Sequence, residues 1–259
     1  PKKGEQLEGL KTLIRRIGKA GIPTLGYNFS IAGVWGHVEG TYARGEAVSV
    51  GFLGPDGPKE TPIPKGHVWN MVYDPDASAG DIGAVTSDDL WQRLEDFLKA
   101  VVPVAEEAGV RLAAHPDDPP MPTIRGTARL VYQPHLYQRL LDLVPSPNNA
   151  LEFCLGSLQE MSEGDVCQSI EQYGRQNAIA YVHFRNVQGK VPRYHEVFVD
   201  EGDLDMFEAL RALRRVGYDG VLIPDHTPQM SCGAPWHAGM AYALGYMKAA
   251  LRAVESEGD

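Results

Sequence analysis

Short apolar blocks alternate along this chain with stretches whose apolar residues recur every three or four positions, the periods of a buried strand and of an amphipathic helix. A helical pattern opens at Leu7, Leu10, Leu13, Ile14 and Ile17, and the first strand-like block is Ile22 to Asn28. A helix is predicted from about Ser87 to Ala108, with Leu90, Trp91, Leu94, Phe97, Leu98, Val101 and Val102 on one face, a kink at Pro103 and Gly109 ending it. Strands at Val110–His115, Leu151–Leu155, Ala178–His183 and Val221–Asp225 then alternate with helices at Pro134–Leu143, Glu163–Tyr173, Leu204–Val216 behind an Asp203 cap, and Trp236–Val254. Residues 30–85 are rich in Gly and Pro, lack helical periodicity and read as an insertion with a functional part.

Strands alternating with helices specify a parallel α/β sheet. Five strands are legible, whereas a closed (β/α)8 barrel needs eight, so an open sheet and a barrel lacking its first three strands both fit the count. No Gly-rich phosphate fingerprint follows a strand, and the chemically interesting side chains fall at strand C-termini, where barrel enzymes keep their chemistry. The expected architecture is therefore one barrel domain over 1–259, N-terminally incomplete.

Charge narrows the partners. The 34 acidic residues against 24 basic give a formal net charge of -10, which repels nucleic acid and anionic membranes. No run approaches the roughly 18 apolar residues of a membrane span, and no signal peptide is legible, so a cytoplasmic protein is expected. Cys154, Cys167 and Cys232 are odd in number and suit a reducing compartment. Cys167 shares an apolar helix face with Val166, Ile170 and Tyr173 and reads as core, while Cys232 lies in an irregular loop.

Four potential metal ligands end four successive strands: His115, Cys154, His183 and Asp225, separated by 39, 29 and 42 residues, each about one βα unit. Consecutive strand ends of a barrel converge on one mouth, so these side chains can address a common ion. Alone, a strand-end His is an ordinary polar cap and a strand Cys ordinary core, but four independent accidents in a row are improbable. Two imidazoles, a thiolate and a carboxylate suit Mn, Fe, Co or Zn and disfavour Ca or Mg.

The surrounding motifs are His-Pro-Asp-Asp-Pro-Pro at 115–120, Cys-Leu-Gly-Ser at 154–157, His-Phe-Arg-Asn at 183–186 and Pro-Asp-His at 224–226. In these, and in Tyr27-Asn28-Phe29, His195-Glu196 and Gly202-Asp203-Leu204-Asp205-Met206, the chain resembles the mannonate dehydratase family. The resemblance covers nearly the whole chain except the insertion. It implies a metal-dependent, xylose-isomerase-like TIM barrel with Mn(II) on His115, Cys154, His183 and Asp225. It implies a lyase that dehydrates a sugar acid of the D-mannonate type to a 2-keto-3-deoxy-D-gluconate type product. Ile223, Thr227 and Leu155 depart from the family's Arg, Gly and Thr, and His237 aligns with a Tyr that the family uses in catalysis.

A proton must leave the carbon beside a carboxylate and another must reach a departing hydroxyl, so acid–base groups are required. His226 is the first candidate, with a bond orienting Asp225 as its bland alternative, and His237 is a partner or a surface histidine. Arg185, two residues past His183, is placed to clamp a carboxylate or to form a rim salt bridge. Asn28, Asp117, Asp118 and His195 are candidates for substrate hydroxyls, and Glu196, beside His195 on the loop after the His183 strand, is placed to reach the site. Competing readings are a sugar isomerase or epimerase using the same metal-stabilised enediolate, and a closed structural zinc site in a non-catalytic protein. Homo-oligomerisation is compatible with the insertion.

Overall fold

The computed structural model describes residues 2–69 and 71–257. In chain order the elements are α1 (Lys2–Lys19), β1 (Thr24–Tyr27), β2 (His37–Ala43), β3 (Ala47–Phe52), β4 (His67–Val68), β5 (Met71–Val72) and α2 (Ser87–Ala108). There follow β6 (Arg111–Ala114), β7 (Thr123–Ile124), β8 (Thr127–Ala128), α3 (Leu136–Leu143), β9 (Asn149–Cys154), α4 (Leu155–Glu160), α5 (Val166–Gly174) and β10 (Ile179–His183). The chain continues through β11 (Asn186–Lys190), β12 (Arg193–Val197), α6 (Met206–Arg215), β13 (Val221–Ile223) and α7 (Pro235–Ser256).

The main sheet has the order β1-β6-β9-β10-β13 and all its pairings are parallel. Strands adjacent in that order are joined by the intervening helices, the repeat of an α/β barrel arc. β9 is buried at every position, as a strand covered on both faces must be. The apolar core joins Leu112, Leu151, Phe153 and Val182 of the sheet to Leu94, Leu98, Val101 and Val102 of α2 and to Leu210 and Leu213 of α6. Its register sets Tyr181 opposite Glu152 and His183 opposite Cys154, so the inward rows of β9 and β10 meet side by side.

A second sheet, antiparallel in every pairing, has the order β11-β12-β3-β2. Segment 30–85 thus contains regular structure where the sequence reading saw only an irregular stretch. Its strands β2 and β3 join the hairpin that follows β10. The alternation in Ala47-Val-Ser-Val-Gly-Phe52, buried at 47, 49 and 51, is a strand pattern in itself, but Gly51 within it and Gly40 in the partner strand mask the signal.

A further correction concerns the cap of a helix. The cap of α6 is Asp205, which accepts the amides of Phe207 and Glu208, while Asp203 accepts Gly189 N–H at 2.7 Å. Both aspartates suit the start of a helix, and the hairpin at 186–197 claims the first. The helix α2 runs through Pro103 as one element. Pro103 and Lys99 both lie on its exposed face, where water can satisfy the carbonyl that the proline leaves unpaired. Its start is fixed by a Thr86–Asp89 capping box and its end by Gly109 in the left-handed conformation, φ 65°. Among the described residues no helix is long and apolar enough to cross a membrane.

Candidate active site

The strand ends of the main sheet bring His115, Cys154 and His183 together. One ligand atom from each lies within 4.8 Å of the others, a donor set suited to a divalent ion. His115 follows β6, Cys154 ends β9 and His183 ends β10, so adjacent strands deliver adjacent donors. The Cys154 sulfur also accepts the amide of Ser157 at the start of α4. Burial would raise its pKa, but the Arg185 guanidinium and the neighbouring imidazoles of His115 and His183 hold it well below the ordinary thiol range. Burial disfavours the charged form of His115, yet the thiolate beside it outweighs that and pushes its pKa up to about 10; His183 is raised for the same opposing reasons. The thiolate attracts the two imidazoles in their charged form as it would attract a metal cation, and His183 Nδ1 is buried without a hydrogen-bond partner among the described residues.

Asp225 stands beside this cluster, not within 4.8 Å of all its members. Its Oδ2 is 3.4 Å from His183 Nδ1, 3.2 Å from Arg185 Nε and 3.2 Å from His226 Nε2. It has φ 63°, a left-handed conformation rare for a residue with a side chain and concentrated at functional sites.

Arg185 is 3% exposed and surrounded by acids. Its Nη2 donates to Asp118 Oδ2 at 2.6 Å and to Ser157 Oγ at 3.0 Å, its Nη1 donates to Glu160 Oε1 at 2.7 Å, and Glu196 Oε1 is 3.5 Å away. Three of its five N–H groups serve Asp118, Ser157 and Glu160, and the others face Glu196 and Asp225, so these acids compete with a substrate carboxylate for the fork. The guanidinium is itself the counter-charge of the site. Among its partners, Asp118 is held well below the ordinary carboxylate range: burial opposes ionisation, but Arg185 and His37 outweigh it. Glu160 goes the other way, raised well above it by burial and by the nearby Asp118 charge.

His226 lines the mouth with its side chain 44% exposed. Its Nδ1 is 2.8 Å from Glu196 Oε2, so both ring nitrogens face carboxylates. Burial opposes the charged ring, but the hydrogen bond to Glu196 prevails and its pKa is raised.

The remaining candidates separate by strand alternation and loop packing. On β12 the inward residues are Tyr194, whose hydroxyl donates to Asp118 Oδ1 at 2.8 Å, and Glu196. His195 between them faces the other side of the sheet, against Tyr42 and within 3.0 Å of Gln188 Oε1. Asp117 accepts the amides of Leu130 and Val131 and pairs with the buried Arg129, tying down the 129–131 turn. His237 is exposed on the first turn of α7 with its ring against Trp236. The structure therefore brings Asn28, Asp118, Arg185 and His226 to the donor cluster and leaves Asp117, His195 and His237 outside it.

A cavity of about 330 Å³ opens over the cluster, lined among others by Tyr27, Asn28, Trp69, Glu152, Tyr181 and His226. The Oδ1 of Asn28 and the hydroxyl of Tyr27 are buried without hydrogen-bond partners among the described residues, which fits a polar ligand. A second cavity of about 320 Å³, lined by His37, Glu39, Ser49, Gln229 and Trp236, shares Val34, Asp118 and His226 with the first. A larger groove, about 910 Å³ along α6 and α7, is lined by Leu210, Leu213, Leu244 and Leu251 among others and contains none of these donors. Sequence reasoning singled out Glu196, which the structure brings to the site, and missed Glu152, Glu160, Tyr194 and His37. Of these, Glu152 had a signal, being a charged residue in an apolar strand.

A barrel-type α/β enzyme with a buried His–Cys–His donor cluster at its strand ends is the class that this fold and site define. Within that class, the profile of the D-mannonate dehydratase (UxuA) family matches residues 81–256, and the chain belongs to that family. It is 33% identical over 236 residues to a mannonate dehydratase of Streptococcus equi subsp. zooepidemicus, covering 87% of this chain and 65% of that protein's length. It is 30% identical over 270 residues to mannonate dehydratase 2 of Halalkalibacterium halodurans, covering 99% of this chain and 78% of that protein. The crystal structure of the Streptococcus suis serotype 2 mannonate dehydratase superposes with a TM-score of 0.84 at 29% identity, over all of this chain and 72% of that one. A D-tagatose 3-epimerase-like protein shares the fold, with a TM-score of 0.60 at 15% identity over 99% of this chain and 72% of its own.

Proposed function

We propose that this protein is a metal-dependent lyase that dehydrates a sugar acid, D-mannonate or a close relative, to a 2-keto-3-deoxy acid. The observation that carries the reading is the converging His115–Cys154–His183 set beneath a polar cavity, in a chain of this family. His115, Cys154 and His183 would hold the ion, with Asp225 as the fourth ligand and Mn(II) as the expected metal. Bound there, a divalent ion supplies charge stabilisation to the acidic carbon's conjugate base, an effect of several kcal/mol.

Of the two proton transfers, His226 supplies the one to the departing hydroxyl. His226 sits at the mouth with a carboxylate on each nitrogen and so carries its proton; it acts as the acid that protonates the departing hydroxyl. Glu196 holds the ring and stabilises its charge. Arg185 positions Asp118, Glu196 and Asp225, which keeps the acids around the cavity apart from one another. Asn28, with its free Oδ1, accepts a substrate hydroxyl. Asp117, His195 and His237 enter the proposal only as structural or surface groups. Reduced thiols and the soluble substrate suit a cytoplasmic enzyme.

A sugar isomerase or epimerase is the second reading, favoured by the occupation of Arg185, which leaves the cavity without a free guanidinium for a carboxylate. Incubation of Mn(II)-loaded protein with a panel of six-carbon sugar acids and with ketoses separates the two. Keto-acid formation from D-mannonate supports the lyase; interconversion of sugars without keto acid replaces it with the second reading. In the lyase, His226→Asn is expected to lower kcat by about 10²–10⁴-fold, and an unchanged kcat removes the assigned acid role.

A further inference from the structure

Glu152 has no part in the scheme above, yet it occupies the floor of the donor cluster. It lies two residues before Cys154 on β9 and so points to the same side of the sheet. Its Oε1 is 3.0 Å from His183 Nε2 and 3.9 Å from His115 Nε2. The side chain is buried and hydrogen-bonded to Tyr181, its register partner on β10. Gly26 on β1 leaves the space for this pair: a Cβ there would stand 2.0 Å from the Tyr181 hydroxyl and 2.9 Å from Glu152 Oε2.

The two imidazoles are held by different nitrogens. His115 has its Nδ1 2.6 Å from the carbonyl of Pro116, which leaves Nε2 free. His183 has Nε2 against Glu152, while its Nδ1 is buried, unpartnered among the described residues and 3.4 Å from Asp225 Oδ2. This nitrogen and this oxygen stand close enough to serve one ion as neighbouring donors.

We infer that Glu152 is a positioning residue: it accepts the Nε2 proton of His183 and so fixes the ring in the tautomer whose Nδ1 lone pair faces the metal side. A carboxylate in that place orients the ring and raises its basicity, which a backbone carbonyl does less well. Tyr181 holds the carboxylate, and Gly26 admits both. The inference rests on the metal reading of the preceding section.

The test uses the whole chain. Mn(II) dissociation constants are measured by chelator competition for the wild type, Glu152→Ala, Glu152→Gln and Tyr181→Phe, with thermal melts of the metal-free proteins as a folding control. Glu152→Ala is expected to weaken Mn(II) binding about 10–100-fold, with Glu152→Gln, which keeps an acceptor oxygen, recovering part of the loss. Equal affinity in wild type and Glu152→Ala overturns the inference and leaves the metal reading standing. Absence of Mn(II) and Zn(II) binding by the wild type overturns both. Nitrogen-15 correlation spectra of the histidines in wild-type protein loaded with Zn(II) give an answer that needs no variant. The expected pattern is Nε2–H with a metal-bound Nδ1 at His183, and the opposite pattern overturns the inference.

Discussion

Cys154 and Cys167 differ by environment more than by sequence. Cys154 has a guanidinium and two imidazoles around its sulfur, whereas burial and the nearby Asp165 push the Cys167 thiol up to about 11. Only a thiolate reacts, so at pH 8 Cys167 is expected to alkylate roughly a hundredfold more slowly than an ordinary thiol of pKa near 8.5. The exposed Cys232 should be labelled first by iodoacetamide. Peptide mapping by mass spectrometry checks the order, and rapid labelling of Cys167 contradicts its packing against the main apolar core.

Arg185 carries the largest energetic stake of any single side chain near the site. Removing it in Arg185→Met leaves Asp118, Glu196 and Asp225 without their cation, a loss expected to be about 3–5 kcal/mol in urea unfolding. Glu160→Gln should cost far less, within about 1 kcal/mol. Burial and the Asp118 charge already favour the uncharged carboxyl at Glu160, and an amide reproduces its shape and its acceptor. If the two variants are destabilised equally, the arginine is not the hub that its contacts indicate.

At the scale of elements, α2 is defined at both ends by local chemistry. The Thr86 hydroxyl accepts the Asp89 amide at 3.2 Å while Asp89 answers to Thr86 N–H at 3.4 Å. Thr86→Ala is expected to lower stability by about 1 kcal/mol, measured by urea unfolding at neutral pH. The contribution of Asp89 needs its ionised form; its pKa is lowered by the Thr86 hydrogen bonds, so this part is present above the ordinary carboxylate range and is lost as pH falls through the lowered value. The difference between wild type and Thr86→Ala should therefore shrink in acid.

The element that the sequence hid is the antiparallel sheet. Strands β2 and β3 come from the 30–85 segment and β11 and β12 from the loop after β10, more than 130 residues further along. This pairing brings His37 within 2.7 Å of the Tyr194 hydroxyl and places Glu196 against Arg185 and His226. Segment 30–85 thus supplies one wall of the cavities, with Val34, His37 and Trp69.

For the whole molecule, metal and stability are linked: an ion that binds only the folded protein stabilises it by RT ln(1 + [L]/Kd), about 2.7 kcal/mol at a hundredfold excess over Kd. Adding that excess of Mn(II) to chelator-treated protein is expected to raise Tm by roughly 5–10 °C, read by calorimetry. Equal melting with and without Mn(II) counts against the donor cluster as a metal centre.

Period and punctuation in the chain alone determined the five parallel strands, the helices between them and the rank of His115, Cys154, His183 and Asp225 at strand ends. Each of these is set by residues a few positions apart: an apolar face recurs, a cap or glycine ends it, and the next strand begins. Which nitrogen of His183 meets Glu152, why Arg185 is enclosed by acids, why Glu196 faces inward while its neighbour His195 does not, and why His237 stands outside were decided only by the tertiary structure. Those contacts join residues tens to more than a hundred positions apart, and their geometry depends on sheet register and loop packing, which no local pattern encodes.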